Sequence, residues 1–275
     1  MFHIFVGFAC AVLANGCAGG PSLASSMPRG AWSVVALGDS VPYGSNCGCT
    51  PYPQLSASSM TAPPTREVTA TNDAVAGFTT DDVLSQLRSD PEVVSHVRKA
   101  DVVEIEVGAN DVAYSGSCDT KVDCYQPMIP AMQQNLAEIV ARVHELTEGH
   151  PVLLVLLDYW SVWLGGQYAE AQGPAYVDAA EAVTDQVNTA IKGTAAASGS
   201  AYIDLRAAFK GPDYAFDETH YLSNDGDHPN AAGHEQIAAA VVDVVTQDPL
   251  HLTPATGRLH RHAPTTRFAL SASPQ

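Results

Sequence analysis

The chain has 275 residues, with 13 Lys and Arg against 30 Asp and Glu, a formal net charge of −17, and 46% hydrophobic residues. That composition is globular and excludes a disordered chain, and the length holds one large α/β domain or two small ones. Scattered cations on so acidic a chain cannot displace counterions along a polyanion, which excludes nucleic acid as a partner.

Residues 1–25 contain no Lys, Arg, Asp or Glu. Ile4 to Ala14 is an apolar run of signal-peptide length, too short to cross a bilayer comfortably, and Ser22-Leu23-Ala24 offers a cleavage site. The basic segment that usually precedes such a run is missing, which points to a start upstream. A buried first strand or helix is the structural alternative. Cys17, just after the run, is a candidate for lipid modification, although Ala14-Asn15-Gly16 lacks the Leu expected three places before it. The leading expectation is a removed leader over residues 1–25 and a soluble secreted protein. A lipoprotein held at the cell surface through Cys17, with peripheral membrane association, is the lesser one.

Without that segment four cysteines remain, Cys47, Cys49, Cys118 and Cys124. In an exported chain an even number reads as two disulfides, and three pairings are open. C-x-C with C-x5-C is not a common structural zinc spacing.

Strand and helix patterns then alternate. Ser33 to Leu37 is a short β-branched run stopped by Gly38-Asp39-Ser40, and Glu67 to Thr71 is a weaker strand. Thr80-Asp81-Asp82 caps a helix through Val83, Leu84 and Leu87. Asp101 to Val107 is a strand stopped by Gly108-Ala109-Asn110-Asp111. Met132, Leu136, Ile139, Val140, Val143 and Leu146 recur every three or four residues, as on an amphipathic helix. Pro151 to Leu157 is almost purely aliphatic, Tyr176 to Ala197 is an Ala-rich helix, and Ser200 to Leu205 is the last strand. Ala231 to Val245 closes the domain as a helix with Ile237, Val241 and Val244 or Val245 inward. Apolar runs without alternation are strands buried on both faces. With intervening helices they predict a three-layer α/β/α sandwich around a parallel five-stranded sheet, spanning residues 30–248. From 249 to 275 the chain has no periodicity and reads as a disordered tail.

In an open parallel sheet ligands bind at the carboxyl ends of the strands. Four polar segments stand there: Gly38-Asp39-Ser40, Asn72 to Gly77, Gly108 to Asp111, and Asp225-Gly226-Asp227-His228-Pro229-Asn230. Singly each has an ordinary explanation, with Ser40 or Asn230 as a helix cap, Asn110-Asp111 as a turn and Gly77 as a hinge. Together, in this order, they resemble the four sequence blocks of the SGNH hydrolases, the GDSL-type lipase/esterase family. Gly38-Asp39-Ser40 matches G-D-S, Gly77 the glycine block, Gly108 to Asp111 matches G-x-N-D, and Asp225 with His228 matches D-x-x-H. Val41 departs from the Leu of the family name, and Cys47 to Pro53 looks like an elaboration of the first loop.

The resemblance implies a flavodoxin-like fold and a serine hydrolase acting on carboxylic esters without cofactor or metal. Ser40 is then the nucleophile and His228 the base, a residue type whose ordinary pKa of ~6.5 suits proton shuttling. Asp225 orients the imidazole and is preferred over Asp227, because adjacent residues tend to point apart. The backbone N–H groups of Ser40 and Gly77 and the Asn110 amide form the oxyanion hole. Lipid, small-molecule or acylated-glycan esters are the implied substrates, met by a monomer. Acyl transfer to an alcohol, and a non-catalytic carbohydrate- or lipid-binding module, are the competing functions. His220, His234, His251, His260 and His262 read as structural. Tyr43, Tyr52, Tyr114, Tyr159, Trp160 and Trp163, near strand ends, are either pocket walls or core.

Overall fold

The computed structural model describes residues 30–62, 64 and 66–247. The expected leader, with Cys10 and Cys17, and the expected tail from residue 249 lie outside the described residues.

The strands are β1 (Gly30–Gly38), β2 (Arg66–Asn72), β3 (Val102–Glu106), β4 (Leu153–Leu157) and β5 (Ala201–Ile203). The helices are α1 (Ser40–Tyr43), α2 (Tyr52–Met60), α3 (Thr80–Ser89), α4 (Pro91–Val97), α5 (Val122–Tyr125), α6 (Ile129–Leu146), α7 (Gly166–Glu170), α8 (Pro174–Ser198), α9 (Leu205–Lys210) and α10 (Ala231–Gln247). All five strands pair in parallel in the order β2-β1-β3-β4-β5. Val34 stands opposite Val102, Val102 opposite Leu153, and Val155 opposite Ala201.

The aliphatic runs are strands because both of their faces are covered. α2 and α10 pack together on one side, while α3, α6 and α8 form the other layer. Val34, Val35, Ala36 and Leu37 of β1 are wholly buried, as is every residue of β3 and β4. The expected stripe on α6 is buried at all six positions, each contributing about 1.5–3 kcal/mol of transfer free energy. On α10 the inward residue is Val245, with Val244 only half-buried.

Several details differ from the sequence expectation, among them the short helices α4, α5, α7 and α9, which it did not include. The cap of α3 is Thr79, not the Thr80 segment: its side chain accepts from the Asp82 N–H, and Asp82 accepts from the Thr79 backbone, a closed capping box. β5 ends at Ile203, because Asp204 turns the chain by capping α9 through the Ala207 N–H at 2.7 Å. α2 was not expected at all; it starts after Pro51 and buries Tyr52, Pro53, Ser56, Ala57 and Met60.

Cys47 and Cys49 face each other with Cα atoms 5.1 Å apart, and Cys118 and Cys124 at 5.6 Å, both within the range of disulfide geometry. Each pair lies inside one loop, so of the open pairings the cysteine positions favour the local one over a link between the loops. The sheet order sets where a site can form. β1 has β2 on one side and β3 on the other, so the order in which strands are added reverses there, and a crevice opens beyond their carboxyl ends.

Candidate active site

Gly38 ends β1 at φ +146°, where a Cβ would run into the carbonyl oxygen of Glu106 on β3. Only glycine permits this close approach, which the Asp39 N–H uses to reach the Glu106 carbonyl at 3.1 Å. Asp39 then caps α1, taking the Val41 N–H on Oδ1 at 3.0 Å. The cap is therefore Asp39 and not Ser40, so the Ser40 hydroxyl is relieved of that duty. On its other oxygen Asp39 receives the Tyr159 hydroxyl at 2.6 Å. Burial pushes the Asp39 carboxyl up to about 6 against the lowering pull of Tyr159 and the Val41 N–H.

The second half of the site comes from the loop before α10. His228 Nδ1 meets Asp225 Oδ2 at 2.7 Å, and Asp225 Oδ1 accepts the backbone N–H groups of Asp227 and His228, each at 3.1 Å. Partial burial works to raise the Asp225 pKa, but the hydrogen bonds from the His228 ring, the two backbone groups and Asn46 outweigh it and hold the carboxyl below its usual value. With Nδ1–H committed to Asp225, the lone pair of His228 sits on Nε2. Asp227 also lines the cavity, but its carboxylate makes no hydrogen bond to His228 among the described residues. Of the two carboxylates, Asp225 is the one hydrogen-bonded to the His228 ring.

Ser40, His228 and Asn110 line one cavity of about 410 Å³. Asn110 stands in the turn Ala109–Val112 after β3 and donates Nδ2–H to the Phe78 carbonyl at 2.9 Å. A primary amide carries two hydrogens, so one anchors the side chain and the other stays available. Asp111 ties the same loop down by accepting the Thr80 N–H at 2.9 Å. The loop is further pinned across the end of β1 by Asp73 and Val75 N–H bonds to the carbonyls of Ala36 and Gly38. Gly77, at φ +85°, sits on this loop one residue from Phe78. It is exposed and is not among the residues lining the cavity that Ser40, Asn110 and His228 share, so the structure does not bring this expected donor into the site with them.

The aromatic candidates divide. Tyr114, Tyr159, Trp160 and Trp163 line the cavity; Tyr52 is core, and Tyr43 is exposed and outside it. Trp163 is fixed by donating Nε1–H to the Val112 carbonyl at 2.8 Å, and Tyr114 meets it edge-on at 5.2 Å. Tyr176 of α8 joins this wall and was missed, because its sequence spacing marks only a helix interior. Asn46 was missed too: its Nδ2 reaches Asp225 Oδ2 at 2.5 Å across 179 residues of chain, and no local pattern signals it.

Among the described residues the ligand atoms of Cys47, Cys49 and His234 lie within 4.8 Å of one another. The two sulfurs face each other, and His234 Nδ1 accepts the Tyr52 N–H at 3.3 Å, which uses the lone pair a metal would need. Burial holds the His234 ring down at about 4, as befits a neutral core histidine.

The profile of the GDSL-like lipase/acylhydrolase family matches residues 36–236. No curated protein matches the chain. Among solved structures, the lipase Lip_vut3 from a goat rumen metagenome is 22% identical, with 78% of this chain and 97% of that one covered at a TM-score of 0.61. Phospholipase A1 from Streptomyces albidoflavus NA297 is 21% identical over 79% and 99% at 0.60. The acetylxylan esterase Axe2 from Geobacillus stearothermophilus is 19% identical over 80% and 96% at 0.57. At these identities the structures share the fold with this chain.

Proposed function

The chain belongs to the GDSL-like lipase/acylhydrolase family, a family of ester hydrolases, and from that premise we propose that it is a secreted serine esterase for neutral carboxylic esters. The observation that carries the reading is the Asp225–His228 hydrogen bond of 2.7 Å at a cavity that Ser40 also lines.

Ser40 Oγ attacks the ester carbonyl carbon as His228 Nε2 takes the hydroxyl proton, and Asp225 stabilises the resulting imidazolium. The carbonyl oxygen becomes an anion and is met by the free Asn110 N–H, with the Ser40 backbone N–H as a further donor; Gly77, outside the lining, is given no part in the step. The imidazolium returns the proton to the leaving alcohol, the C–O bond breaks, and an acyl ester remains on Ser40. Water repeats the sequence and releases the carboxylic acid.

No Lys or Arg lines the cavity among the described residues, while Asp39 and Asp227 do. Anionic acyl or alcohol groups therefore meet no counter-charge, and the walls of Trp160, Trp163, Tyr114 and Tyr176 suit an uncharged chain or ring. Export is supported by the apolar Ile4–Ala14 run and by the two cysteine pairs, which we read as disulfides. N-terminal sequencing of protein recovered from the medium tests the leader, and intact residues 1–25 there would count against it.

The deciding experiment is turnover of a chain-length series of p-nitrophenyl esters beside an acetylated glycan, with Ser40→Ala and His228→Ala as controls. Loss of hydrolysis in both folded variants is expected, and full activity in either sinks the proposal. Adding an acceptor alcohol and analysing products separates hydrolysis from acyl transfer.

A further inference from the structure

We infer that Asn46 is a positioning residue for the acid–base pair, an inference that rests on the esterase reading above. Its Nδ2 donates to Asp225 Oδ2 at 2.5 Å, the oxygen that also receives His228 Nδ1, and stands 3.4 Å from Nδ1 itself. With two backbone N–H groups on Oδ1, the Asp225 carboxylate has four donors on its two oxygens, which fills its lone-pair positions. Asn46 supplies the donor that comes from the nucleophile's side of the site.

Two features suit Asn46 to this post. Its backbone has φ +57°, a left-handed conformation that Asn tolerates better than other residues with a Cβ. Its own carbonyl accepts the Ser223 hydroxyl at 3.3 Å, so side chain and backbone both hold the loop that carries His228. The preceding residue is anchored toward the nucleophile, with the Ser45 N–H on the Ser40 carbonyl at 3.0 Å, and Cys47 follows directly. One residue thus ties the Ser40 segment to the acid–base loop. Asp225 keeps 30% of its side chain exposed, so without the amide its carboxylate is free to turn toward water and carry the imidazole off line from Ser40. An uncharged donor fills the oxygen's free position while leaving the negative charge that the imidazolium needs.

The test compares Asn46→Gly, which keeps the backbone conformation and removes the amide, with Asn46→Asp, which places a second carboxylate beside His228. On p-nitrophenyl butyrate, Asn46→Gly is expected to lower kcat about tenfold with KM unchanged. Asn46→Asp is expected to move the acid limb of kcat/KM up by about one pH unit, because added negative charge favours the protonated ring. The other ionisable groups facing His228 are Asp225 on its loop, which loses the Asn46 hydrogen bond in both variants, and Asp227, Asp39 beyond β1 and His234 on α10, which these variants do not contact. A residue that only braced the loop would change Tm and leave kcat of the folded Asn46→Gly protein in place. Unchanged kcat in Asn46→Gly overturns the inference; if Asn46→Gly does not fold, kcat of Asn46→Ser, whose hydroxyl is too short to reach Asp225, decides by the same criterion. Ser40→Ala run alongside separates the two levels. Activity persisting there removes the esterase reading, whereas an inactive Ser40→Ala beside unaffected Asn46 variants removes only the role of Asn46.

Discussion

Replacing Glu104 by Gln measures the burial of charge in the strand that ends beside the nucleophile. Glu104 is fully buried on β3; the Ser56 hydroxyl reaches its Oε1 at 3.2 Å, and its Oε2 has no partner among the described residues. Burial raises its pKa from 4.5 to about 8, with Ser56 pulling the other way. Between those values the unfolded chain has released the proton while the folded one still holds it. The native state then binds more protons, so this contribution is full below pH 4.5 and is lost as pH rises through about 8. At about 1.4 kcal/mol per pH unit the ceiling on that loss is about 5 kcal/mol. Gln has the same shape and does not titrate, so its stability relative to wild type must improve as pH rises. Urea unfolding of both proteins at about pH 5 and about pH 8.5 gives the difference directly. Asp39, Glu106 and Asp158, which burial also raises, are present in both proteins and largely cancel. A relative gain of several kcal/mol for Glu104→Gln is expected; a gain under about 1 kcal/mol would refute a protonated Glu104 in the native state.

Asn110→Ala should lower kcat/KM by about 10²–10³, or ~2.7–4 kcal/mol, through loss of one oxyanion donor, with a steady-state ester assay as the check. Asp225→Asn should cost about 10⁴ in kcat, since an amide N–H facing Nδ1 forces the wrong tautomer on His228. Asp227→Asn should leave turnover near wild type, and the reverse order in the same assay would reassign the acid. Thr79→Ala opens the capping box of α3 and should cost about 1 kcal/mol, seen as a Tm drop of about 2–4 °C by calorimetry.

Much of this protein was readable along the chain because its determinants are local. Val34 to Leu37 and Leu153 to Leu157 are apolar without alternation, and only a strand covered on both faces uses such a run. The buried stripe of α6 has a period that any burial of one helix face imposes. Ser40, Asn110, Asp225 and His228 could be named as candidates because each belongs to a short motif, at a strand end or loop, that resembles a block of the family. α2 was not readable, since burial by α10 rather than a strong pattern of its own holds it in place.

What only the folded chain decided are pairings between distant or equivalent partners. Four cysteines permit three connectivities, and the loops bring the sulfurs together in only one of them, with two local pairs. Asp39, not Ser40, caps α1 because the Gly38 backbone passes against Glu106 and turns the following side chain inward. Gly77 stayed outside the lining, Tyr176 joined it from α8, and Asn46 met Asp225 from 179 residues away. Sequence pattern records what each segment buries, because burial acts on every residue of a helix or strand at once. A single directional hydrogen bond between two loops leaves no period behind it, and is set by where the sheet and its helices bring those loops.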